Sequence, residues 1–290
     1  MTPAAWILAG LALALAWPVP IALSRAAWPQ RHPVRALVLW QTVALAGGLA
    51  MIGSLVCWGL APFGSRPADA AAAVVGLFAH GAYISTRGLA HLFILSCALL
   101  LFAHLVSILA LTGVRMSRRR RRHLEALKLV AHEDPSRRNR LILDSNLPLA
   151  YCLPSTTGSV TVVTEGILTA LSPDELDAVL EHERAHVAQR HDILVWAFSA
   201  WRAALPWLPT ARLALGAVSE LIEFLADDFA AGRHAPKTVA RALVVVAEAG
   251  AAGQAGEENR SAFGLPAADD ERESPGGGRT LRRALRLARR

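Results

Sequence analysis

Val179-Leu180-Glu181-His182-Glu183-Arg184-Ala185-His186-Val187 carries the pattern H-E-x-x-H inside a run with helical periodicity. His182 and His186 are four apart, so both imidazoles leave one helical face, one turn apart. That spacing lets two neutral ring nitrogens hold one Zn²⁺, with Glu183 beside them to take a proton from water. Such a centre hydrolyses peptide bonds when a third protein ligand leaves one coordination position open. The context strengthens the motif. Ser172-Pro173-Asp174-Glu175 is a strong helix start, with Ser172 as N-cap, Pro173 in the first turn and Glu175 completing a capping box. The helix is expected to run to about Arg190. Arg184, a charge between the two ligands, is expected to face solvent or lipid headgroups.

Downstream, Glu220 to Ala231 reads as a further helix ended by Gly232. Glu223 and Asp227 share one of its faces. They sit among Ile222, Phe224, Leu225 and Phe229, where unpaired carboxylates would be costly. Glu223 is well placed as third ligand, and Asp227 as acceptor for the free ring N–H of a bound histidine. Ile193 to Ser219, between the two motifs, is apolar but broken by Arg202, Pro206, Pro209 and Arg212. Two crossings would need about 40 residues, more than separate His186 from Glu223. An interfacial helical hairpin at 193–219, with Trp196, Trp201 and Trp207 at headgroup depth, is the expectation. A buried helical hairpin is the alternative.

The remaining composition describes a membrane protein. The chain has 290 residues, 53% hydrophobic, with mean hydropathy +0.36 and net charge +7. Ala4 to Ser24 carries no charge, about 31 Å as a helix at roughly 1.5 Å per residue. Met1-Thr2-Pro3 lacks the basic stretch of a signal peptide, so this is read as a spanning helix. Uncharged runs follow at 36–61 and 88–114. Arg25, Arg31 and Arg35 form one basic cluster, and Arg115 with Arg118 to Arg122 the other. Both can lie on the cytoplasmic side only with three crossings and the N-terminus outside. Residues 70–86 are read as an external loop lying partly in the interface, because a fourth crossing would reverse the second cluster. His91 and His104, in the third span, are expected to pack against neighbouring helices. Cys57, Cys97 and Cys152 suggest no disulfide framework. The arginine run fits anionic lipid beside a span, and no direct nucleic-acid binding is expected.

Arg118 to His132 continues the third span as a helix, stopped by Pro135. Arg140 to Asp144, Leu149 to Leu153 and Ser159 to Thr164 read as three strands of a small sheet. Thr238 to Ala249 is a last helix of the domain. The reading is mainly α with a small β-sheet (α+β). Residues 1–114 form the membrane anchor (spans 4–24, 36–61 and 88–114), residues 115–250 the catalytic domain, and residues 251–290 a disordered linker with a basic amphipathic tail. That tail is expected either on an anionic membrane surface or as a solvated end.

Leu171 to His186 followed by Glu223 to Asp228 resembles the MecR/BlaR-type membrane zinc metallopeptidases. It shares H-E-x-x-H and E-x-x-x-D with the HtpX and CAAX-protease group of gluzincins. The resemblance covers roughly Val160 to His234, with the pattern of N-terminal spans. It implies a zincin-like cytoplasmic domain with His182, His186 and Glu223 on Zn²⁺, Glu183 as base and Asp227 behind the ligands. It also implies a protein or peptide substrate lying along a strand within 149–153 or 159–164. A winged-helix repressor is the implied kind of substrate. His234 or Arg233 is a candidate for stabilising the oxyanion. His191, five beyond His186, falls off the ligand face and is expected to be structural. Antibiotic-sensing relatives carry an external penicillin-binding domain after the protease. None is present up to Arg290, so a peptidase without that sensor is expected. A quality-control protease of HtpX type and a non-proteolytic zinc module are the alternatives.

Overall fold

A computed structural model of the chain describes residues 1–80, 85–137, 139–155, 158–254 and 276–289. It divides into two compact units: Met1–Gly113 with Val195–Leu221, and Val114–Leu194 with Ile222–Arg290.

The first unit is built from apolar helices. The expected first span is broken in two, α1 (Thr2–Ala16) and α2 (Pro18–Arg25). Pro18 and Pro20 bring no N–H to the helical ladder, and Trp17 between the segments leaves helical geometry at φ −124°, ψ −73°. α3 (Pro33–Leu60) and α5 (Thr86–Val130) are continuous. Among the described residues, three segments are long and apolar enough to cross a membrane: Thr2–Arg25, Pro33–Leu60 and Thr86–Val130. Between the second and third, the structure forms α4 (Pro67–His80) where a loop was expected. Pro67 opens it, Asp69 sits in its first turn, and an alanine-rich run sustains it. Residues 81–84 of that expected loop lie outside the described residues.

α5 is 45 residues long. It passes through the arginine cluster without interruption, as expected, and ends at Val130, before Pro135. α8 (His191–Ala204) and α9 (Pro209–Ala231) form the hairpin. Ala204, Leu205, Leu208 and Ala211 are buried against Ala16, Met51, Leu105 and Ile108. Trp196 Nε1 donates to the Leu109 carbonyl at 3.1 Å. α9 absorbs the helix expected at 220–231, because Ala211 to Val218 is itself helix-forming and offers no stop. His91 donates to the Trp58 carbonyl at 2.8 Å and His104 to the Ala204 carbonyl at 3.1 Å, so both pack against neighbouring helices.

The second unit holds a four-stranded sheet of β1 (Ala131–Glu133), β2 (Arg140–Leu143), β3 (Ala150–Ser155) and β4 (Gly158–Thr164), in the order β1-β2-β4-β3. β1 is one strand more than the sequence suggested. β2 and β4 are parallel, and β3 runs antiparallel to β4 with Cys152 opposite Thr161. β3 is thus an edge strand and β4 an interior one. A short α6 (Glu165–Ala170) follows β4, capped by the Thr164 hydroxyl. α7 (Pro173–Ala188) has the expected capping box. Val163, Ile167, Leu171 and Leu180 are buried together with Ala242 of α10 (Pro236–Gln254). α10 runs further than the helix expected to end at Ala249. Residues 255–275, most of the expected disordered linker, lie outside the described residues. The basic tail is neither a solvated end nor free of the domain. It is α11 (Gly276–Ala288), and its Leu287 is buried with Ala178, Ala230 and Val239.

Candidate metal centre

α7 brings the two imidazoles of the motif together, as its helical pitch requires. His182 Nε2 and His186 Nε2 are 3.2 Å apart. α9 supplies Glu223, whose Oε2 is 3.5 Å from His182 Nε2 and whose Oε1 is 3.6 Å from His186 Nε2. One ligand atom from each of the three lies within 4.8 Å of the others. Zinc–nitrogen bonds of about 2.05 Å at tetrahedral angles place ligand atoms about 3.3 Å apart. The His182–His186 separation matches such an edge, and the two Glu223 oxygens, one near each imidazole, lie close enough for the carboxylate to complete the set. Two imidazoles and one carboxylate are also a donor set that zinc accepts.

Asp227, fully buried one turn after Glu223, has Oδ1 3.1 Å from His182 Nδ1. Burial pushes the His182 imidazole down. The acceptors Asp227 and Glu223 outweigh that and lift it to about 9. Burial carries His186 down to about 4, against the weaker pull of the Glu223 charge. Burial would raise both carboxyls, but hydrogen bonding to His182 and the Arg283 charge hold Glu223 at about 2. The same two partners, Arg283 foremost, hold Asp227 at about 2. Glu183 is half-buried, and burial pushes its carboxyl up to about 7, against the pull of His182 and a hydrogen bond from the Cys152 N–H of β3. A carboxyl poised near neutrality next to two ligand imidazoles suits general-base work.

A cavity of about 160 Å³ opens beside these groups, lined by Leu149 just before β3, Ala150 at its start, His182, Glu183, Glu223 and Arg283, with apolar walls from α7 and α10. Arg233 and His234 are not among its lining residues. Arg233 pairs with the buried Glu181 at 3.0 Å and lies over the Phe229 ring. Arg184 meets the same Glu181 at 3.0 Å, with its side chain about half exposed.

Residues 115–223 match the sequence model of peptidase family M48.

The matched stretch closes on Glu223, the third member of the ligand cluster. No curated protein and no solved structure matches the chain. The match and the ligand triad together mark a zinc-dependent metalloendopeptidase on a chain with three membrane-length helices.

Two groups at the centre escaped the sequence reading. His191 is not remote from the ligands: its Nδ1 is 3.1 Å from His186 Nδ1, and its Nε2 is 3.1 Å from Gln189 Oε1. The five-residue spacing misleads because α7 has already ended. Arg190 adopts a left-handed φ of 52°, and the chain folds back. Arg283, sixty positions beyond Glu223, lines the cavity with no local signal to announce it.

Proposed function

We propose that this chain is an integral-membrane zinc endopeptidase that cuts a regulatory protein, such as a winged-helix repressor, on the cytoplasmic side. The observation that carries the peptidase reading is Glu183, its carboxyl poised near 7, set beside a cluster of two imidazoles and a carboxylate close enough together to share one ion. His182, His186 and Glu223 would hold the metal. Zinc in that place supplies Lewis acidity, bringing a water's pKa to about 7 and polarising the scissile carbonyl.

The protein's own groups do the rest. The Glu183 carboxylate takes a proton from the attacking water and hands it to the departing amine nitrogen. The Cys152 N–H aims that carboxylate. Asp227 Oδ1, 3.1 Å from His182 Nδ1, is the group that would take up that ring proton and leave Nε2 for the metal. His191 does the same for His186 by another route. Gln189 Oε1 fixes the proton on His191 Nε2, so His191 Nδ1 is an acceptor. His186 must then carry its proton on Nδ1, with Nε2 free. The edge strand β3 offers unpaired main-chain groups to an extended substrate, while interior β4 has none to spare. Arg233, committed to Glu181, is poorly supplied to stabilise an oxyanion, and His234 is no better supported.

The regulatory substrate and the cytoplasmic orientation rest on the resemblance of Leu171 to Asp228 to the MecR/BlaR type and on the arginine clusters at the span ends. Glu183→Gln in the full chain tests the base. It should retain zinc while peptide hydrolysis falls by about 10²–10⁴. Cleavage equal to wild type would overturn the assignment. Incubating the protein with a winged-helix repressor encoded beside it, with and without a chelator, tests the substrate. An uncut repressor alongside chelator-sensitive cutting of membrane proteins would favour quality control.

A further inference from the structure

The arginine run of α5 is not uniform. Arg118, Arg119, Arg121 and Arg122 are exposed, while Arg120 is only partly so. Its Nη2 donates to Asp192 Oδ2 at 2.8 Å. Three residues on, His123 Nε2 lies 3.0 Å from the Tyr151 hydroxyl. Leu127, another turn along, is buried. Positions 120, 123 and 127 fall on one face of a helix, so α5 lays a single stripe against the rest of the catalytic unit.

The ends of these two ties matter more than their strength. Asp192 stands in the first turn of α8, directly after His191, whose Nδ1 is 3.1 Å from His186 Nδ1. Tyr151 precedes Cys152 on β3, and the Cys152 N–H is hydrogen-bonded to Glu183. Each tie therefore ends one residue away from a group that orients the centre. One reaches the motif helix through the turn that follows it, the other through the edge strand.

Stability does not account for the arrangement. An ion pair with side chains 34% and 35% exposed adds little to it. A charge meant for lipid headgroups does not account for it either, because the four exposed arginines supply that without Arg120. Placement does. The orientation of a ligand imidazole is felt in metal affinity, and a small displacement of a base is felt in rate. α5 is unbroken from Thr86 to Val130, so the segment that carries both ties continues directly from a membrane-length apolar run.

We propose that Arg120 and His123 are positioning residues of the peptidase: Arg120, through Asp192 and His191, sets the second zinc-binding imidazole, and His123, through Tyr151 and Cys152, sets the base. The proposal rests on the zinc-peptidase reading above, but its first readout does not need activity.

The test uses the full chain in nanodiscs, with zinc affinity measured by chelator competition. Arg120→Gln should bind zinc about threefold more weakly, a smaller loss than removal of His191 itself would bring. Asp192→Asn should match it, and the double variant should be no worse than either alone. Arg120→Lys, which keeps the charge, should recover most of the loss. Arg119→Gln and Arg121→Gln take the same charge from exposed positions and should bind zinc as wild type does. Unchanged affinity in Arg120→Gln, or an equal loss in Arg119→Gln, would overturn the first tie. Tyr151→Phe and His123→Leu test the second at saturating zinc. Hydrolysis of labelled casein should show kcat lowered about tenfold, with KM and zinc affinity unmoved and no further fall in the double variant. An unchanged kcat, or a raised KM in its place, would overturn that tie. No cleavage by zinc-loaded wild type would sink the peptidase reading and the His123 tie with it, while Arg120 would still be judged on zinc alone.

Discussion

The histidines of the two units have different kinds of partner. In the apolar unit, His91 and His104 each meet a main-chain carbonyl on a neighbouring helix. In the catalytic unit, His182 and His186 lie beside carboxylates and each other, and His191 lies against His186 and the Gln189 amide oxygen. Burial does not separate the two sets, because both are at least partly enclosed. Partner chemistry does. A carbonyl satisfies one N–H and ends the matter. Two ring nitrogens 3.2 Å apart with a carboxylate beside both are donors that one cation could share. A histidine's partner is thus a better guide to its work than its depth.

The contrast can be broken in several places. Asp227→Ala, which removes the acceptor behind His182, should weaken zinc binding by about 10–100-fold, measured by chelator competition. An unchanged affinity would mean that the carboxylate supports nothing but α11. His191→Leu should cost less, about tenfold, since only the orientation of His186 is lost. His104→Leu serves as its matched control and should leave zinc affinity where it was. If the two behaved alike, the distinction drawn from ring partners would fail.

The smallest effect concerns the start of α7. Ser172→Ala removes the cap and should cost about 1 kcal/mol in denaturant unfolding of the catalytic unit. The same box has a pH signature. The Ser172 hydroxyl and N–H hold the Glu175 carboxyl below its ordinary range. A depressed carboxyl contributes stability that is fully present above its unfolded-state value and is lost as pH falls through the folded one. The acid side of the stability profile should therefore flatten in Ser172→Ala. An identical slope in both proteins would show that the box carries no such linkage.

What the sequence disclosed was local in origin. The capping box, the four-residue spacing of the ligands and the uncharged spans each lie within one element, where helical pitch or bilayer thickness fixes the outcome. The Glu223 and Asp227 pair was legible because carboxylates amid Ile222, Phe224 and Phe229 need a reason to be there. The misses follow the same logic. The break at Trp17 lay in two prolines inside an otherwise uniform apolar run. β1 was too short to show alternation. His191 depended on where α7 stops, and α11 on a docking that joins residues sixty positions apart.

The left-handed residue Arg190 sets a rule for anyone borrowing this centre. A graft of Pro173–Ala188 alone would transplant both proposed ligands and the proposed base but leave behind His191, the partner of the second ring. The transferable cassette ends at His191, and it must keep its bend. One inserted residue after Gln189 would swing that imidazole away and turn a preset ligand into one free to choose the wrong tautomer.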